Sequence, residues 1–196
     1  MSATLHRREV VSELLRDRGE LLVVAGLGST AWDCTAAGDS PLTFPLWGAM
    51  GLAATMGLGL ALAQPRRRVL VVTGDGEMLM GLGSLATVGV QRPPNLSVVV
   101  IDNERYGETG MQATHTAHGV DLAQVALACR FRAAQVVRQQ AELAALREAI
   151  HRGEGPLLAQ IKVVDEKLPL ELPPRDGALL RARFRRALLG EAADLA

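Results

Sequence analysis

Two short apolar runs, Val69–Thr73 and Leu96–Ile101, each close on a polar signal. The first ends in Gly74-Asp75-Gly76-Glu77 and the second in Asp102-Asn103. Both runs are rich in β-branched residues and read as buried strands. Between them Met78–Gln91 reads as a helix, followed by a turn at Pro93-Pro94-Asn95. A strand–helix–strand unit of this kind is right-handed with parallel strands. Both polar signals therefore fall on the carboxyl edge of the sheet, where α/β proteins hold their ligands. The Asp75 carboxylate and the Asn103 amide oxygen then form part of an oxygen shell for a hard cation. Magnesium takes about six oxygens and usually completes the set with phosphate and water. Gly74 and Gly76 let the backbone turn sharply and aim N–H groups at an anion. Taken alone, these residues are also compatible with an ordinary pair of α/β turns.

The length, 196 residues, suits one domain over 1–196, with 165–196 an irregular segment and a helix. Apolar residues make up 48% of the chain but aromatics only 3%, so the core must be aliphatic. A net charge of zero argues against nucleic acid as the main partner. The arginine clusters 66–68 and 181–186 read as solvated faces or interface charges. Cys34 and Cys129 have no metal-ligand spacing and, with no signal peptide evident, suggest a reduced, cytoplasmic protein. The uncharged stretch Ser40–Pro65, with three arginines after it, imitates a membrane span. Pro41 and Pro45 break its start, and it runs almost directly into the strand at Val69. A buried helix, not a membrane segment, is the expectation.

Taken in order, Leu5–Arg18 reads as an amphipathic helix ended by Gly19, and Leu21–Ala25 as the first strand. Gly26-Leu27-Gly28-Ser29-Thr30 follows. It is either a simple strand-to-helix turn or a loop that holds phosphate with N–H groups and a hydroxyl. Leu42–Leu46 is a candidate short strand. Gly51–Ala63 is a helix of small residues, suited to close approach to the sheet or to a second subunit. Beyond Asn103, residues Tyr106–Gly119 form a polar loop at the carboxyl edge. Tyr106, Glu108, Thr109, Gln112 and His115 are its candidate contacts. His115 and His118 make a weak zinc signal without further ligands, so a structural or substrate role is preferred. Asp121–Cys129, Ala141–His151 and Gly177–Leu189 read as helices, and Ala133–Val137 and Leu157–Val163 as strands.

Gly-Asp-Gly on one strand end, with Asn on the next after the 26 residues from Glu77 to Asp102, resembles the metal–diphosphate motif of thiamine diphosphate enzymes. The resemblance extends through Trp47-Gly48-Ala49-Met50-Gly51 and the stretches 57–65, 79–87 and 106–116. Within the family it points to the small β subunits of sulfopyruvate decarboxylases and the C-terminal portion of phosphonopyruvate decarboxylases. It implies a three-layer α/β/α fold with a mainly parallel sheet. It implies that thiamine diphosphate and Mg²⁺ are bound, with Asp75, Asn103 and the Arg105 carbonyl as metal ligands. Gly28, Ser29, Gly74, Gly76 and Glu77 would lie on the diphosphate side, with Tyr106, Gly107 and Glu108 beside them. The Gly48 carbonyl would accept from the 4′-amino group. Met50, with Ala49 before it, would be the apolar wedge that bends the cofactor, although the residue alone is equally a core methionine. His115 joins Gly48 and Met50 as a catalytic candidate. The family's usual Asn-Asn pair is Asp102-Asn103 here, and only its second member is a ligand. Met111 replaces a frequent glycine in the substrate loop.

Family enzymes also need a glutamate on the cofactor's pyrimidine, carried by a separate domain. No glutamate here fits that role. The resemblance therefore implies one part of a hetero-oligomer whose pyrimidine-binding α-type subunit supplies the glutamate. The expected reaction is decarboxylation of a small anionic 2-oxo acid. A carboligase of the acetolactate synthase type and a non-catalytic regulatory subunit are the alternatives.

Overall fold

The computed structural model describes residues 4–195. In chain order the strands are β1 (Leu22–Ala25), β2 (Thr43–Pro45), β3 (Val69–Gly74), β4 (Leu96–Asp102), β5 (Arg105–Tyr106), β6 (Gln112–Ala113), β7 (Ala133–Val137) and β8 (Leu157–Lys162). The helices are α1 (Arg7–Leu15), α2 (Ser29–Ala36), α3 (Ala53–Ala63), α4 (Asp75–Met80), α5 (Ser84–Gln91), α6 (Leu122–Ala128), α7 (Gln140–Arg152) and α8 (Gly177–Leu189). Six strands form one parallel sheet in the order β2-β1-β3-β4-β8-β7, and β5 with β6 makes a small antiparallel hairpin. This is the expected α/β architecture.

Side chains alternate across a strand, so each buried strand feeds two cores. Val23, Leu70, Val72, Val99 and Ile161 face one layer with Val10 and Leu14 of α1 and Leu143 and Leu146 of α7. Val24, Val71, Val98, Val100 and Leu158 face the other, with Ala54 and Leu58 of α3, Leu85 of α5 and Leu122 of α6. Each fully buried Val or Leu contributes about 1.5–3 kcal/mol, enough for an aliphatic core to hold with few aromatics. Of those few, Phe44 and Phe184 meet edge-on at 5.5 Å between ring centroids and bring α8 against β2.

The small residues of α3 serve its own sheet, since a Cβ on Gly57 would collide with Val71 Cγ2. α3 is 11 residues long, about 17 Å. Among the described residues no helix is long and apolar enough to cross a membrane. The basic turn after α3 is an anchor. Arg68 donates to the carbonyls of Ile150 (3.1 Å) and Pro94 (3.1 Å), and Arg67 to Glu20 (2.9 Å). In the C-terminal cluster, Arg183 pairs with Asp39.

Three expectations need correction. The single helix Met78–Gln91 is two, α4 and α5, and α4 begins earlier, at Asp75. Gly81 interrupts them because its backbone lies against Gly51, and a Cβ there would meet the Gly51 carbonyl oxygen. The first helix is shorter than Leu5–Arg18. Leu5 instead bridges to Val163, and Asp17 takes a left-handed φ of 54° beyond the last turn. The loop Tyr106–Gly119 is ordered as the β5–β6 hairpin, whose first strand starts at Arg105, and a 3₁₀ turn at His115–His118.

Candidate metal and diphosphate site

β3 and β4 run in register, with Gly74 opposite Ile101. Asp75 and Asn103 therefore leave neighbouring strand ends at the carboxyl edge. Both line one cavity of about 430 Å³. Gly74, Gly76 and Glu77 follow β3 into its wall, and Arg105, Tyr106, Gly107 and Glu108 follow β4. Ser29 enters from the start of α2, and Met50 from the loop before α3. The two glycine turns and the β2–α3 loop, far apart in the chain, thus converge.

Close approach explains the glycines. A Cβ on Gly76 would lie 2.7 Å from the Tyr106 ring. One on Gly28, whose φ is +72°, would lie 2.6 Å from Glu108 Oε1. A side chain at Gly26 would strike the Glu77 carboxylate. Glu77 is buried and accepts from the Thr73 hydroxyl at 2.7 Å. Burial pushes its carboxyl up, against the Thr73 bond and the N–H groups of Gly51 and Leu27. Glu77 thus lies where three loops meet.

Asp75 is 2% exposed. Burial pushes its carboxyl up to about 6, with the Asp102 charge acting in the same direction. The Thr114 hydroxyl and the N–H groups of Asp75 and Gly76 oppose that rise. Asn103 Oδ1 accepts from the Arg105 N–H at 3.1 Å, which fixes the amide and leaves a lone pair on the same oxygen. Asp102 does not line the cavity. It is fully buried, with Lys162 Nζ at 2.7 Å and Gln160 Nε2 at 2.6 Å on Oδ2. Burial lowers the Lys162 ammonium, but its bonds to Asp102 and Glu104 outweigh this and raise it overall.

Gly48, Ala49, His115 and Gly28 do not line the cavity. Gly48 and Ala49 are exposed, and Ala49 has a left-handed φ of 58°. His115 is exposed on the 3₁₀ turn, with Nδ1 3.5 Å from the Tyr106 hydroxyl. Among the described residues no group of three or more His, Cys, Asp or Glu side chains could hold a metal. His115 and His118 therefore gain no further ligand. An ion at Asp75 must draw its other oxygens from amide, backbone, anion and water, a donor set suited to magnesium.

Sequence reasoning missed the cavity's other walls. Arg7 reaches it from α1, and its guanidinium bonds the Ser29 carbonyl and pairs with Asp33, which also takes Arg8. Trp32 and the segment Asp165–Leu168 complete the wall. Thr114, Thr116, Gln160 and Lys162 support Asp75 and Asp102 from behind. Gln160 and Lys162 alternate along an otherwise apolar strand, and Thr114 and Thr116 share that spacing. Polar pairs two apart next to a buried strand were the available signal.

The C-terminal TPP binding domain of thiamine pyrophosphate enzymes matches residues 28–161. The chain is 35% identical to the sulfopyruvate decarboxylase subunit beta of Methanothermobacter thermautotrophicus, over 97% of this chain and 99% of that one. It is 39% identical to the corresponding subunit of Methanocaldococcus jannaschii, over 63% of this chain and 65% of that one. It is also 39% identical to the phosphonopyruvate decarboxylase of Streptomyces viridochromogenes, over 90% of this chain but only 43% of that enzyme. The crystal structure of benzoylformate decarboxylase from Polynucleobacter necessarius shares the fold, with a TM-score of 0.70 and 19% identity over 85% of this chain and 34% of that one.

Proposed function

Because the chain belongs to the thiamine pyrophosphate enzymes through their C-terminal TPP binding domain, we propose that it is the β-type subunit of a magnesium-dependent 2-oxo acid decarboxylase, of the sulfopyruvate or phosphonopyruvate type. The observation that carries this reading is the meeting of Asp75 and Asn103 at one cavity, beside the Ser29 and Gly76 turns. The residues fit the cofactor. Asp75, Asn103, Ser29 and Gly76 line one cavity, and the oxygen donors suit Mg²⁺. When bound, the cofactor supplies the electron sink that lets carbon dioxide leave a 2-oxo acid.

This chain's own work is binding and orientation. Asp75, the Asn103 side-chain oxygen and the Arg105 carbonyl hold the metal. Ser29, Gly28 and Gly76 hold the diphosphate through N–H groups and a hydroxyl, and Tyr106, Gly107 and Glu108 close the β4 side. Met50 presents an apolar edge to the cavity and would be the wedge against which the cofactor packs. Gly48 and Ala49 orient the pyrimidine through their backbone. His115, with Nδ1 3.5 Å from the hydroxyl of the cavity-lining Tyr106, would contact the substrate. The free thiols of Cys34 and Cys129 suit a cytoplasmic setting.

An α-type partner supplies the pyrimidine-side glutamate. Exposed Trp47, Met50, Leu52, Leu62 and Met80, around the loop before α3 and the outer faces of α3 and α4, support an apolar interface with it. An obligate contact of about 2,000 Å² or more is expected. The test combines the chain with that partner, thiamine diphosphate and Mg²⁺, and analyses products from sulfopyruvate and phosphonopyruvate. Free aldehyde and carbon dioxide are expected. A 2-hydroxyketone would favour carboligation, and no turnover with no cofactor binding would favour a regulatory subunit.

A further inference from the structure

The geometry points to Thr114 as the residue that decides which divalent ion the site keeps, an inference that rests on the magnesium reading above. A carboxylate has two oxygens, and how many reach a metal depends on what occupies the other. Asp75 Oδ2 accepts from the Thr114 hydroxyl at 2.6 Å, with the Thr116 hydroxyl at 3.3 Å from the same atom. Thr114 is 0% exposed, so no water competes for that position.

The two threonines are themselves held. Their hydroxyls lie 2.9 Å apart, and Thr116 Oγ1 is 2.8 Å from Asp102 Oδ1. Asp102 is locked by Gln160, by Lys162 and by the Glu104 N–H at 3.0 Å. The Thr114 N–H also donates to the Glu104 carbonyl at 3.0 Å, which closes the base of the β5–β6 hairpin. The hydroxyls therefore cannot swing away without breaking a buried network. Oδ2 is tied into the protein, and Oδ1, which takes no side-chain hydrogen bond among the described residues, is the oxygen left for an ion.

One available oxygen makes Asp75 a monodentate ligand. Magnesium demands a tight octahedron and suits that arrangement. Calcium takes more oxygens at longer distances and readily accepts both oxygens of a carboxylate. Thr114 is thus a positioning residue that favours the smaller ion by withholding the second oxygen. Removal of its hydroxyl frees Oδ2, which weakens the fit for Mg²⁺ and improves the fit for Ca²⁺. A purely structural role would weaken both ions alike.

The test titrates the full chain, in its assembled form with thiamine diphosphate, with Mg²⁺ or Ca²⁺ by calorimetry. Thr114→Val is expected to reduce the preference for Mg²⁺ over Ca²⁺ by about tenfold, as befits loss of one charge-assisted hydrogen bond. Thr114→Ser should restore it. Should Thr114→Val not fold, Thr116→Val carries the test, with a smaller shift in the same direction. An unchanged ratio, or equal loss of both ions, overturns the proposal. Failure of the unaltered chain to bind the cofactor with either metal overturns instead the reading on which it rests.

Discussion

With no cation beside it, a buried Asp75 carboxylate is a liability, and Asp75→Asn should stabilise the chain in the absence of metal. The side chain is buried at 2% exposure, and burial pushes its carboxyl up to about 6 from the ordinary carboxylate value of 3.8. The folded-state value is above the unfolded one, so the native state holds the proton more tightly. Stability therefore falls as pH rises from about 4 to about 6, and the charged form costs up to about 3 kcal/mol above that window. Asparagine keeps the shape and can still accept from the N–H groups of residues 75 and 76, while the Thr114 oxygen, staying in place, accepts from its amide and donates to Thr116. For a chain of this size each kcal/mol moves the melting temperature by about 2–4 °C. Thermal melts in EDTA at pH 7.5 should show the variant higher by roughly 3–10 °C, with the difference vanishing below about pH 4. Magnesium with thiamine diphosphate should raise the unaltered chain's midpoint and leave the variant's unmoved. A variant that melts lower than the unaltered chain in EDTA at pH 7.5 would refute the argument from burial.

Three further outcomes are expected. Gly57→Ala drives a methyl into Val71 and should cost about 1–3 kcal/mol in urea denaturation. Phe184→Ala removes the ring that holds α8 against Phe44 and should cost about 3 kcal/mol, with hydrogen exchange rising first in 177–189. Met50→Ala should lower turnover of the assembled enzyme more than cofactor affinity, as comparison of kcat with calorimetric Kd would show.

The parts of this protein that sequence made legible are those set by short-range rules. Val69–Thr73 and Leu96–Ile101 announce strands by β-branching, and chirality alone then puts Asp75 and Asn103 on one edge. The helix break at Gly81–Gly83 was harder to read. Two glycines inside an apolar periodic stretch lower propensity without forbidding a helix, and what ends α4 is contact with Gly51, thirty residues away in the chain. Arg7 and the segment 165–168 reach the cavity only because Leu5 pairs beside Val163, a long-range contact with no local signature. The pairing of Lys162 with Asp102 was hidden likewise, since a strand-end lysine looks exposed until its neighbour is known. Gly48 and Ala49 lie outside the cavity walls, so the part proposed for them depends on the interface with the proposed partner.

The most direct test of the account is a crystal of the assembled protein grown with thiamine diphosphate and Mn²⁺ in place of Mg²⁺. An anomalous peak about 2.2 Å from both Asp75 Oδ1 and Asn103 Oδ1 is the predicted result. A peak elsewhere, or the diphosphate bound away from Ser29 and Gly76, would contradict it.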